Sequence, residues 1–293
     1  MIFFQRKYFQ LLSEFYKKTG RDLSYAQTFY RLKNNQKLNL ESPEEFTEKI
    51  QWLKYNLYTE DYKDFVDKYE VRKYVEKTIG NQYLNELLAV YEDADLIDFD
   101  QLPDKFVLQL THGSGYNVIV EDESDMNSEN VKSKLNKYLS MNYFNKYRER
   151  IYKNIKPRII AVKYLEQPEH DYIIDYKFYC IHGKPECVWV KTFDSGKFRN
   201  AYYTTSWEKI LPDENNSDFL TKDIPKPDTL DKMIELAQKL STGFIFLRVD
   251  LYSIGGKIYF GELTFFPWGG NRRLTVEHLN QDLGKLMLLP ISD

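Results

Sequence analysis

The chain of 293 residues has only two cysteines, Cys180 and Cys187, and no long run of basic side chains. Two cysteines provide no disulfide framework, so we expect a reducing cytoplasm, with both thiols packed in the core. The net charge of −3, without a basic run, argues against nucleic acid as the main ligand. No apolar run approaches the roughly 20 residues of a membrane span. Residues 1–4 are followed at once by polar and basic residues, so we expect no signal peptide.

Aromatic residues are abundant, with 24 tyrosines and 19 phenylalanines in a chain that is 42% hydrophobic and 29% charged. This composition is typical of a folded globular protein and excludes a disordered one. The length fits one large or two ordinary domains and is sufficient to bury a sizeable core.

Residues 3–21 have helical spacing, with an apolar face between basic side chains. The face consists of Phe4, Tyr8, Leu11, Leu12 and Phe15. A basic amphipathic helix can lie on a membrane surface, so peripheral contact with the inner face of the membrane through residues 3–21 is one expectation. Packing of this face on the body of the protein is the more common use, and it is the interpretation that we prefer.

Two more helices are predicted in the front part of the chain. Ser42 as N-cap, Pro43 at the first helical position and Glu45 as the partner in a capping box predict a helix start. Another helix is predicted over 64–79. A solvated face is the usual meaning of the charged residues that it carries, which include Asp67, Lys68 and Arg72. Residues 1–100 are therefore expected to form a mainly helical section.

The stretch 244–266 contains two apolar runs on either side of Gly255 and Gly256, which predicts a hairpin. Three charged side chains interrupt these runs: Arg248, Asp250 and Glu262. Because an unpaired buried charge is costly, each of them needs a partner. Two carboxylates on paired strands can hold a divalent cation, and an arginine on the same strand face suits a phosphoryl group in transfer. A structural ion pair between Arg248 and one carboxylate is the alternative.

Residues 105–120 read as a strand, a glycine-bearing turn and a second strand. The turn, residues 111–117, includes Gly113 and Gly115. Backbone N–H groups of such a flap can cover phosphates. The flap is not a Walker loop, because it has no Gly-Lys-Ser and no helix directly after it. An ordinary hairpin is the alternative interpretation.

The rest of the chain mixes strands with helices. Strands or hairpins are predicted over 158–165, 175–193 and 198–203, and helices over 128–139, 228–240 and 276–288.

These segments, in this order, resemble an ATP-grasp fold, and residues 43–290 resemble the TupA-like ATP-grasp family, which is named for teichuronopeptide biosynthesis and is common in bacterial polysaccharide clusters. The resemblance implies an α+β fold with ATP between two subdomains. It implies an ATP-grasp domain over 101–293, with a flap subdomain (101–165) and a metal and phosphate subdomain (166–293). The segments that carry it are EKIQWLK at 48–54, VDKYEVRKYV at 66–75, THGSGYNVIV at 111–120, KPRIIAVKYLE at 156–166, DYKFYCIHGKP at 175–185, RVDLY at 248–252 and KIYFGELTFFP at 257–267.

The resemblance also implies roles for individual residues. Asp250 and Glu262 match the Mg²⁺ ligands, and Thr264 stands where many ATP-grasp enzymes have an asparagine ligand. Arg248 matches the arginine that stabilises the transferring phosphoryl group. The remaining implied contacts to ATP are the flap residues His112, Gly113, Ser114 and Gly115, the hinge residues Lys163, Tyr164 and Leu165, the ribose carboxylate Asp175 with Glu169 as its alternative, and the phosphate contacts Lys177 and Arg199.

Two positions depart from the family pattern. Gln109 stands where the strand before the flap usually ends in a lysine that contacts ATP phosphate, and Val162 stands where the hinge usually begins with a glutamate. Glutamine keeps a hydrogen bond but loses the charge, which lowers ATP affinity by about one or two powers of ten, since a charged hydrogen bond contributes roughly 1.5–3 kcal/mol. Lys163 or another cation substitutes for the missing lysine, or the nucleotide site is partly degenerate.

The family context suggests an ATP-dependent carboxylate–amine ligase that acts through an acyl phosphate on a uronic acid or amino acid of a cell-surface polymer. The acceptor is expected to be a small molecule or a lipid-linked glycan. One alternative is a phosphotransferase on a sugar or alditol hydroxyl, for which His112, Asp194 or His278 could be the base. The other alternative is a degenerate ATP-grasp protein that binds the nucleotide without turnover, as Gln109 and Val162 suggest.

Overall fold

The computed structural model describes residues 2–122, 126–167, 173–194, 196–212, 218–220 and 222–290, without the side chains of residues 2–6 and 146. The α-helices are α1 (Ile2–Lys18), α2 (Asp22–Asn34), α3 (Phe46–Asn56), α4 (Val71–Ile79), α5 (Ser128–Leu139), α6 (Tyr143–Tyr147), α7 (Leu230–Ser241) and α8 (Glu277–Leu286). The strands are β1 (Leu87–Tyr91), β2 (Phe106–Leu110), β3 (Asn117–Val120), β4 (Ile159–Lys163), β5 (Asp175–Ile181), β6 (Lys184–Asp194), β7 (Lys197–Thr204), β8 (Lys209–Ile210), β9 (Phe246–Ile254) and β10 (Lys257–Thr264). The predicted α+β class is confirmed.

The smaller sheet has the strand order β1-β4-β2-β3 and is antiparallel throughout. Alternating apolar residues on β2 and β3 form one buried face, against which Leu135 of α5 packs. This sheet contains the predicted flap, with the turn between β2 and β3. Strand β1 lies within the N-terminal section that was expected to be mainly helical, and it pairs with β4. The division of the chain at residue 100 stays a prediction.

The larger sheet has the order β10-β9-β5-β6-β7-β8. The predicted hairpin of β9 and β10 is confirmed, and its turn residues Gly255 and Gly256 have φ angles of +54° and +75°, which side chains disfavour. Along β9, alternate residues point to opposite faces. Leu247, Val249 and Leu251 belong to the buried core, to which α7 contributes Leu236, Leu240 and others, while Arg248 and Asp250 share the opposite face.

Several predicted helix boundaries were wrong, and hydrogen bonds explain the shifts. Helix α3 begins at Phe46, because Glu45 is the N-cap and forms the capping box with Glu48. The predicted 64–79 helix is a 3-10 helix, Glu60–Phe65, followed by α4. Between them, Asp67 Oδ1 accepts hydrogen bonds from the backbone N–H groups of residues 69 and 70, at 2.8 and 3.2 Å.

The preferred interpretation of the first helix was also wrong for most of its apolar face. Tyr8, Leu11 and Phe15 are 60%, 64% and 52% exposed. Helix α1 packs on α2 through a different face, where Ser13 is buried and the guanidinium of Arg31 lies 4.9 Å from the ring centroid of Phe9. Among the described residues, no helix is both long and apolar enough to cross a membrane.

Gly284 of α8 packs directly on the start of α3. A Cβ atom at this position would lie 2.3 Å from the carbonyl oxygen of Glu44 and 2.9 Å from the backbone nitrogen of Phe46. We expect Gly284→Ala to lower the free energy of unfolding by about 1–3 kcal/mol through overpacking, although alanine in a helix is ordinarily favoured over glycine by about 1 kcal/mol. Urea unfolding would measure the change. Gln281→Ala on the exposed face of α8 is the control, and equal stability of the two variants would contradict this packing.

Candidate active site

The candidate active site is built around a cluster of buried charges on β5, β9 and β10. Arg248 Nε and Nη2 donate to Oδ1 and Oδ2 of Asp250, both at 2.7 Å, and Nη2 also donates to Glu262 Oε1 at 3.0 Å. Lys177, which faces Asp250 across β5 and β9, forms ion pairs with Asp250 and Asp175. The structure therefore brings together the predicted metal carboxylates, the predicted catalytic arginine and one predicted phosphate contact.

A bulge in β10 places Glu262 in this cluster. The register between β9 and β10 shifts between Phe260 and Leu263, which turns the intervening residues relative to a regular strand. Gly261 permits the backbones of β9 and β10 to approach each other closely here, because a Cβ atom at this position would lie 3.0 Å from the carbonyl oxygen of Asp250. The carboxylate of Glu262 is consequently 40% exposed, whereas that of Asp250 is 1% exposed.

The charges in the cluster stabilise one another. Burial raises the pKa of Asp250 to about 6 and the cations Arg248 and Lys177 oppose this, so the carboxylate is ionised at neutral pH. Burial also opposes the charge of Glu262, but Arg248, Lys177 and the ammonium of Lys68 lower the pKa of Glu262 below its ordinary value. The cluster contains three carboxylates and only two cations in direct contact. This excess of negative charge favours a further cation beside Glu262.

Two cavities meet at Glu262. The smaller has a volume of about 170 Å³ and the larger of about 710 Å³, and both are lined by Val66, Tyr152 and Glu262. Arg248, Lys177 and Thr264 line the larger cavity. A group that reaches Glu262 from one cavity is therefore adjacent to a group that reaches it from the other.

The smaller cavity lies between the two sheets. Its apolar walls include Val162 of β4 and Leu263 of β10, and the predicted hinge residue Leu165 also lines it. Gln109 and Asn117 of the flap strands contribute polar groups. Gln109 thus lines this cavity, and its contact with a nucleotide stays a prediction.

Two cations that sequence reasoning assigned to a solvated face, Lys68 and Arg72, line this same cavity. Lys68 Nζ donates to the carbonyl oxygen of Gly113 in the flap turn, and burial lowers the pKa of Lys68. Arg72 Nη2 donates to the carbonyl oxygen of Asn85 at 2.9 Å. The interpretation as a solvated face was wrong for both residues, since the small sheet covers this side of α4. Both residues place positive charge in the wall of the cavity that Gln109 also lines.

An ion-pair clamp fixes the segment that carries Lys68. Arg158, next to β4, donates through Nη2 to Asp67 at 3.1 Å and to Glu70 at 2.8 Å. The clamp joins the small sheet to the start of α4. Asp67 is thus a structural residue.

The larger cavity has aromatic walls and a positive lining. It contains six cationic side chains and three carboxylates, so its formal charge excess is three. Trp189 of β6 and Trp268 form part of the wall, with ring centroids 5.0 Å apart. Helices α1 and α2 contribute five of the lining residues, namely Glu14, Lys17, Tyr25, Phe29 and Lys33. Such a cavity suits an anionic ligand with a ring that can lie against aromatic faces.

Glu149 is a buried carboxyl group in the wall of the larger cavity, and sequence reasoning missed it because a single glutamate in a polar stretch carries no signal. It is 6% exposed, and its side chain forms no hydrogen bond within the described part of the chain. Burial raises the pKa of Glu149 to about 7, although the nearby ammonium of Lys54 opposes the shift. A carboxyl group that titrates near neutral pH in such a cavity can accept a proton from a substrate.

A strained turn forms the end of the same cavity. Trp268, Gly269 and Gly270 have φ angles of +50°, +66° and +69°, a conformation that needs support. Gln51 Nε2 donates to the carbonyl oxygen of Gly270 at 2.7 Å, and Lys54 Nζ donates to that of Gly269 at 3.1 Å. The EKIQWLK segment of α3 therefore holds this turn.

Several other predicted site residues lie outside the cavities. Arg199 lines neither of them. His112 is buried, with Nε2 3.0 Å from the carbonyl oxygen of Met141, and burial lowers the pKa of His112. Lys163 is exposed beside Glu86, and the hydroxyl of Tyr164 donates to Glu121. Ser114 lines the larger cavity, and Gly115 lies in the flap turn with a φ of +79°. Asp175 pairs with Lys177. Glu169 is not among the described residues.

The oxygen donors at the cluster fit a hard divalent cation in part. Glu262 Oε1 accepts from Arg248 and from Thr264 Oγ1 at 3.2 Å, and Oε2 accepts no hydrogen bond within the described residues. The side chain of Glu262 lines both cavities. Asp250 is enclosed by Arg248 and Lys177. Within the described ranges, no group of three or more His, Cys, Asp or Glu side chains could hold a metal ion. Mg²⁺ would thus need phosphate oxygens in addition to Glu262.

A family model described as TupA-like ATPgrasp matches residues 48–288. Among solved structures, the chain is similar to a D-alanine–D-alanine ligase from Bacillus anthracis complexed with ATP, at 12% identity over 76% of this chain and 62% of that chain, with a TM-score of 0.44. It is also similar to the ATP-grasp ligase PsnB complexed with minimal precursor, at 12% identity, 77% and 60% coverage and a TM-score of 0.42. The chain thus spans 60% to 62% of the length of these two proteins. No curated protein matches it.

The position of Lys68 predicts its contribution to nucleotide binding. We expect Lys68→Gln to weaken binding of a non-hydrolysable ATP analogue at least about tenfold, since a hydrogen bond to a charged group contributes roughly 1.5–3 kcal/mol. Lys77→Gln at the exposed end of α4 is the matched control. Calorimetric titration would measure both. An unchanged affinity of Lys68→Gln would mean that this ammonium does not face the nucleotide.

Proposed function

This chain belongs to the TupA-like ATP-grasp family, and on that premise we propose that it is an ATP- and Mg²⁺-dependent carboxylate–amine ligase acting on a uronic acid or amino acid of a cell-surface polysaccharide precursor. The observation that carries the proposal is the meeting of two cavities at Glu262, to which Arg248 of the larger cavity donates a hydrogen bond. A ligase of this type must bring the terminal phosphoryl group of ATP next to a carboxylate that arrives from another direction.

The smaller cavity is the proposed nucleotide site. Apolar surface from Val162, Leu165 and Leu263 suits the adenine ring, while Lys68 and Arg72 suit the phosphates. Its volume of about 170 Å³ is below the roughly 300 Å³ of an ordinary ligand pocket. Nucleotide entry therefore requires the flap sheet to move away from the large sheet, with loss of the contact between Lys68 and Gly113.

The reaction divides into two displacements at the charge cluster. The acceptor carboxylate attacks the terminal phosphorus of ATP, and ADP leaves with the electrons of the broken P–O bond. The amine nitrogen then attacks the carbonyl carbon of the acyl phosphate, and inorganic phosphate leaves. Arg248 and Lys177 neutralise negative charge on the transferring group in both steps. When bound, Mg²⁺ at Glu262 and Thr264 would add charge neutralisation on the phosphates.

Glu149 is the proposed general base of the second step. The incoming ammonium group must lose protons before and during its attack, and Glu149 faces the cavity in which the amine would lie. Tyr152 lines the larger cavity together with Glu149 and Glu262, and burial and both carboxylates raise the pKa of Tyr152. Aromatic walls and the closed flap exclude the water that would hydrolyse an acyl phosphate.

The same geometry would serve a kinase that acts on a sugar or alditol hydroxyl, and Glu149 is the observation that favours this second candidate. The bases expected from the sequence for a kinase were His112, Asp194 and His278, and none of them lines either cavity. A degenerate protein is less well supported, because Lys68 and Arg72 compensate for Gln109.

Phosphorus NMR separates the ligase from the kinase. With ATP, Mg²⁺, glucuronate and a panel of amines, a ligase forms ADP and free phosphate only when acid and amine are both present, or when hydroxylamine replaces the amine. Glu262→Gln should reduce turnover at least about 10²-fold, because loss of one group that stabilises the transition state typically has an effect of this size. Glu129→Gln, on the exposed surface of α5, is the control and should leave turnover unchanged. A stable phosphomonoester in the spectrum would contradict the ligase and support the kinase.

The raised pKa of Glu149 predicts a pH dependence. As a base, Glu149 must be ionised, so we expect kcat to rise as the pH increases through about 7. Glu149→Gln should lower kcat and remove this rising limb, whereas Glu14→Gln, which alters another carboxylate of the same cavity, should keep it. A rising limb that persists in Glu149→Gln would exclude Glu149 as the base.

Unfolding provides a second check on Glu149. Because the pKa in the folded protein lies above the ordinary value of 4.5, protonation favours the folded state, and this stability is lost as the pH rises from about 4.5 to about 7. Urea unfolding at pH 5 and pH 8 should therefore show a larger loss of stability for the wild type than for Glu149→Gln. Equal losses would mean that the carboxyl group is not buried in solution.

A further inference from the structure

One face of α2 presents a regular row of side chains to the larger cavity. Tyr25, Phe29 and Lys33 follow one another at intervals of four residues, which places them on the same side of the helix. The rings of Tyr25 and Phe29 are stacked, with centroids 5.4 Å apart, and Lys33 Nζ lies 5.3 Å from the centroid of Phe29. The row therefore leads from flat apolar surface to a positive charge.

Hydrogen bonds bring a second cation to the end of this row. Asn34 Nδ2 donates to the carbonyl oxygen of Asn271 at 3.1 Å, and the backbone N–H of Arg273 donates to Asn34 Oδ1 at 3.2 Å. These bonds join the residues next to Lys33 and Arg272, so the two cations lie at neighbouring backbone positions. Both side chains line the larger cavity, and Lys17 of α1 lines it as well.

These three cations have no counter-ion among the residues that the structure describes. Lys17, Lys33 and Arg272 form no ion pair and donate no hydrogen bond within the described ranges of the chain. By contrast, Arg248 and Lys177 of the same cavity are paired with carboxylates. Like charges that line one cavity without partners repel one another, and an anion bound among them would relieve this repulsion.

From this arrangement we infer that the larger cavity contains an anion subsite, formed by Lys17, Lys33 and Arg272, that binds a phosphate or pyrophosphate ester carried by the acceptor. The inference rests on the proposed function in one respect, that the acceptor occupies the larger cavity. The sugar ring then lies against Tyr25 and Phe29, and its carboxylate reaches Arg248. An activated sugar, esterified to phosphate at its anomeric carbon, has this order of groups, and a free uronic acid does not.

Binding of matched ligands tests the subsite without turnover. We would titrate glucuronic acid, glucuronic acid 1-phosphate and UDP-glucuronic acid calorimetrically into the full chain, in the absence of ATP. The two phosphate esters should bind at least about tenfold more tightly than the free acid, because each charged hydrogen bond to phosphate contributes at least that factor. A preference for UDP-glucuronic acid would identify a pyrophosphate ester as the ligand, and equal binding of the esters would identify a monoester.

Charge-removing variants assign the effect to the three cations. Lys33→Gln and Arg272→Gln should each reduce the preference for the esters about tenfold and leave the affinity for free glucuronic acid unchanged. Lys18→Gln, next to Lys17 on α1 but outside the cavity lining, is the control. Equal affinity for acid and ester, or a preference that survives in both variants, would overturn the subsite. Turnover of free acids without a phosphate preference would remove the subsite and leave the ligase proposal intact.

A different observation carries a second inference. Tyr8, Leu11 and Phe15 form an exposed apolar stripe on α1, at the spacing of one helix face, and Lys7 and Lys18 flank it without ion pairs in the described residues. We propose that this stripe lies on an anionic membrane surface, because apolar side chains enter the interface while the flanking lysines contact acidic headgroups. Lys17 on the same helix would then place the cavity close to the membrane.

Vesicle sedimentation tests the stripe. The protein should sediment with vesicles of equal parts phosphatidylglycerol and phosphatidylcholine, and less with phosphatidylcholine alone. Leu11→Ser combined with Phe15→Ser should abolish binding, whereas Leu96→Ser, which removes a leucine that is 68% exposed elsewhere, should not. Sedimentation that is unchanged in the double variant would overturn the proposal. So would a stable dimer in light scattering that the double variant converts to a monomer, since a second copy would then cover the stripe.

Discussion

The ion pair between Arg248 and Asp250 constrains the rest of the site. Two parallel hydrogen bonds of 2.7 Å hold it inside a sheet whose other face is apolar core. Burying two charges costs several kcal/mol per ion, and removing one partner typically costs about 3–5 kcal/mol. The pair is therefore tolerable only with its remaining hydrogen-bonding capacity satisfied, which Lys177 and Glu262 achieve. The consequence is a fixed guanidinium in the wall of the larger cavity, beside Glu262 where the two cavities meet. It could not move without exposing an unpaired charge.

The local structural elements could be predicted from the sequence, whereas the groups that surround them in the folded chain could not. The paired glycines at 255 and 256 and the isolated charges in 244–266 identified the hairpin and its cluster, because turn geometry and buried charge are local constraints. Lys68 and Arg72 were misinterpreted, since helical spacing shows which residues share a face but not what covers it. Glu149 and the lining from α1 and α2 depend on contacts between distant parts of the chain, for which periodicity carries no information.

The family segments divide into those that line the two cavities and those that hold other segments in place. Arg158 clamps the start of α4, and Gln51 and Lys54 hold the turn at 268–270. The hydrogen bonds of Gln51 and Lys54 satisfy backbone carbonyl groups in conformations that ordinary secondary structure does not reach, and those of Arg158 reach the carboxylates of Asp67 and Glu70. These residues therefore position the cavity walls. A substitution at one of them would displace a wall, although every charged group of the cluster would still be present.

The helical hairpin of α1 and α2 precedes the 48–288 region that matches the family model, yet it forms one wall of the larger cavity. Its polar attachments are few: Asp22 to Arg148, Tyr30 to Thr47, and Asn34 to the 271–273 segment. None of these attachments uses the positions 25, 29 or 33 that face the cavity. If the larger cavity binds the acceptor as proposed, acceptor choice could diverge by exchange of those three side chains, or of the whole hairpin, while the charge cluster was inherited unchanged. Recognition and chemistry would then evolve as separable parts of one chain.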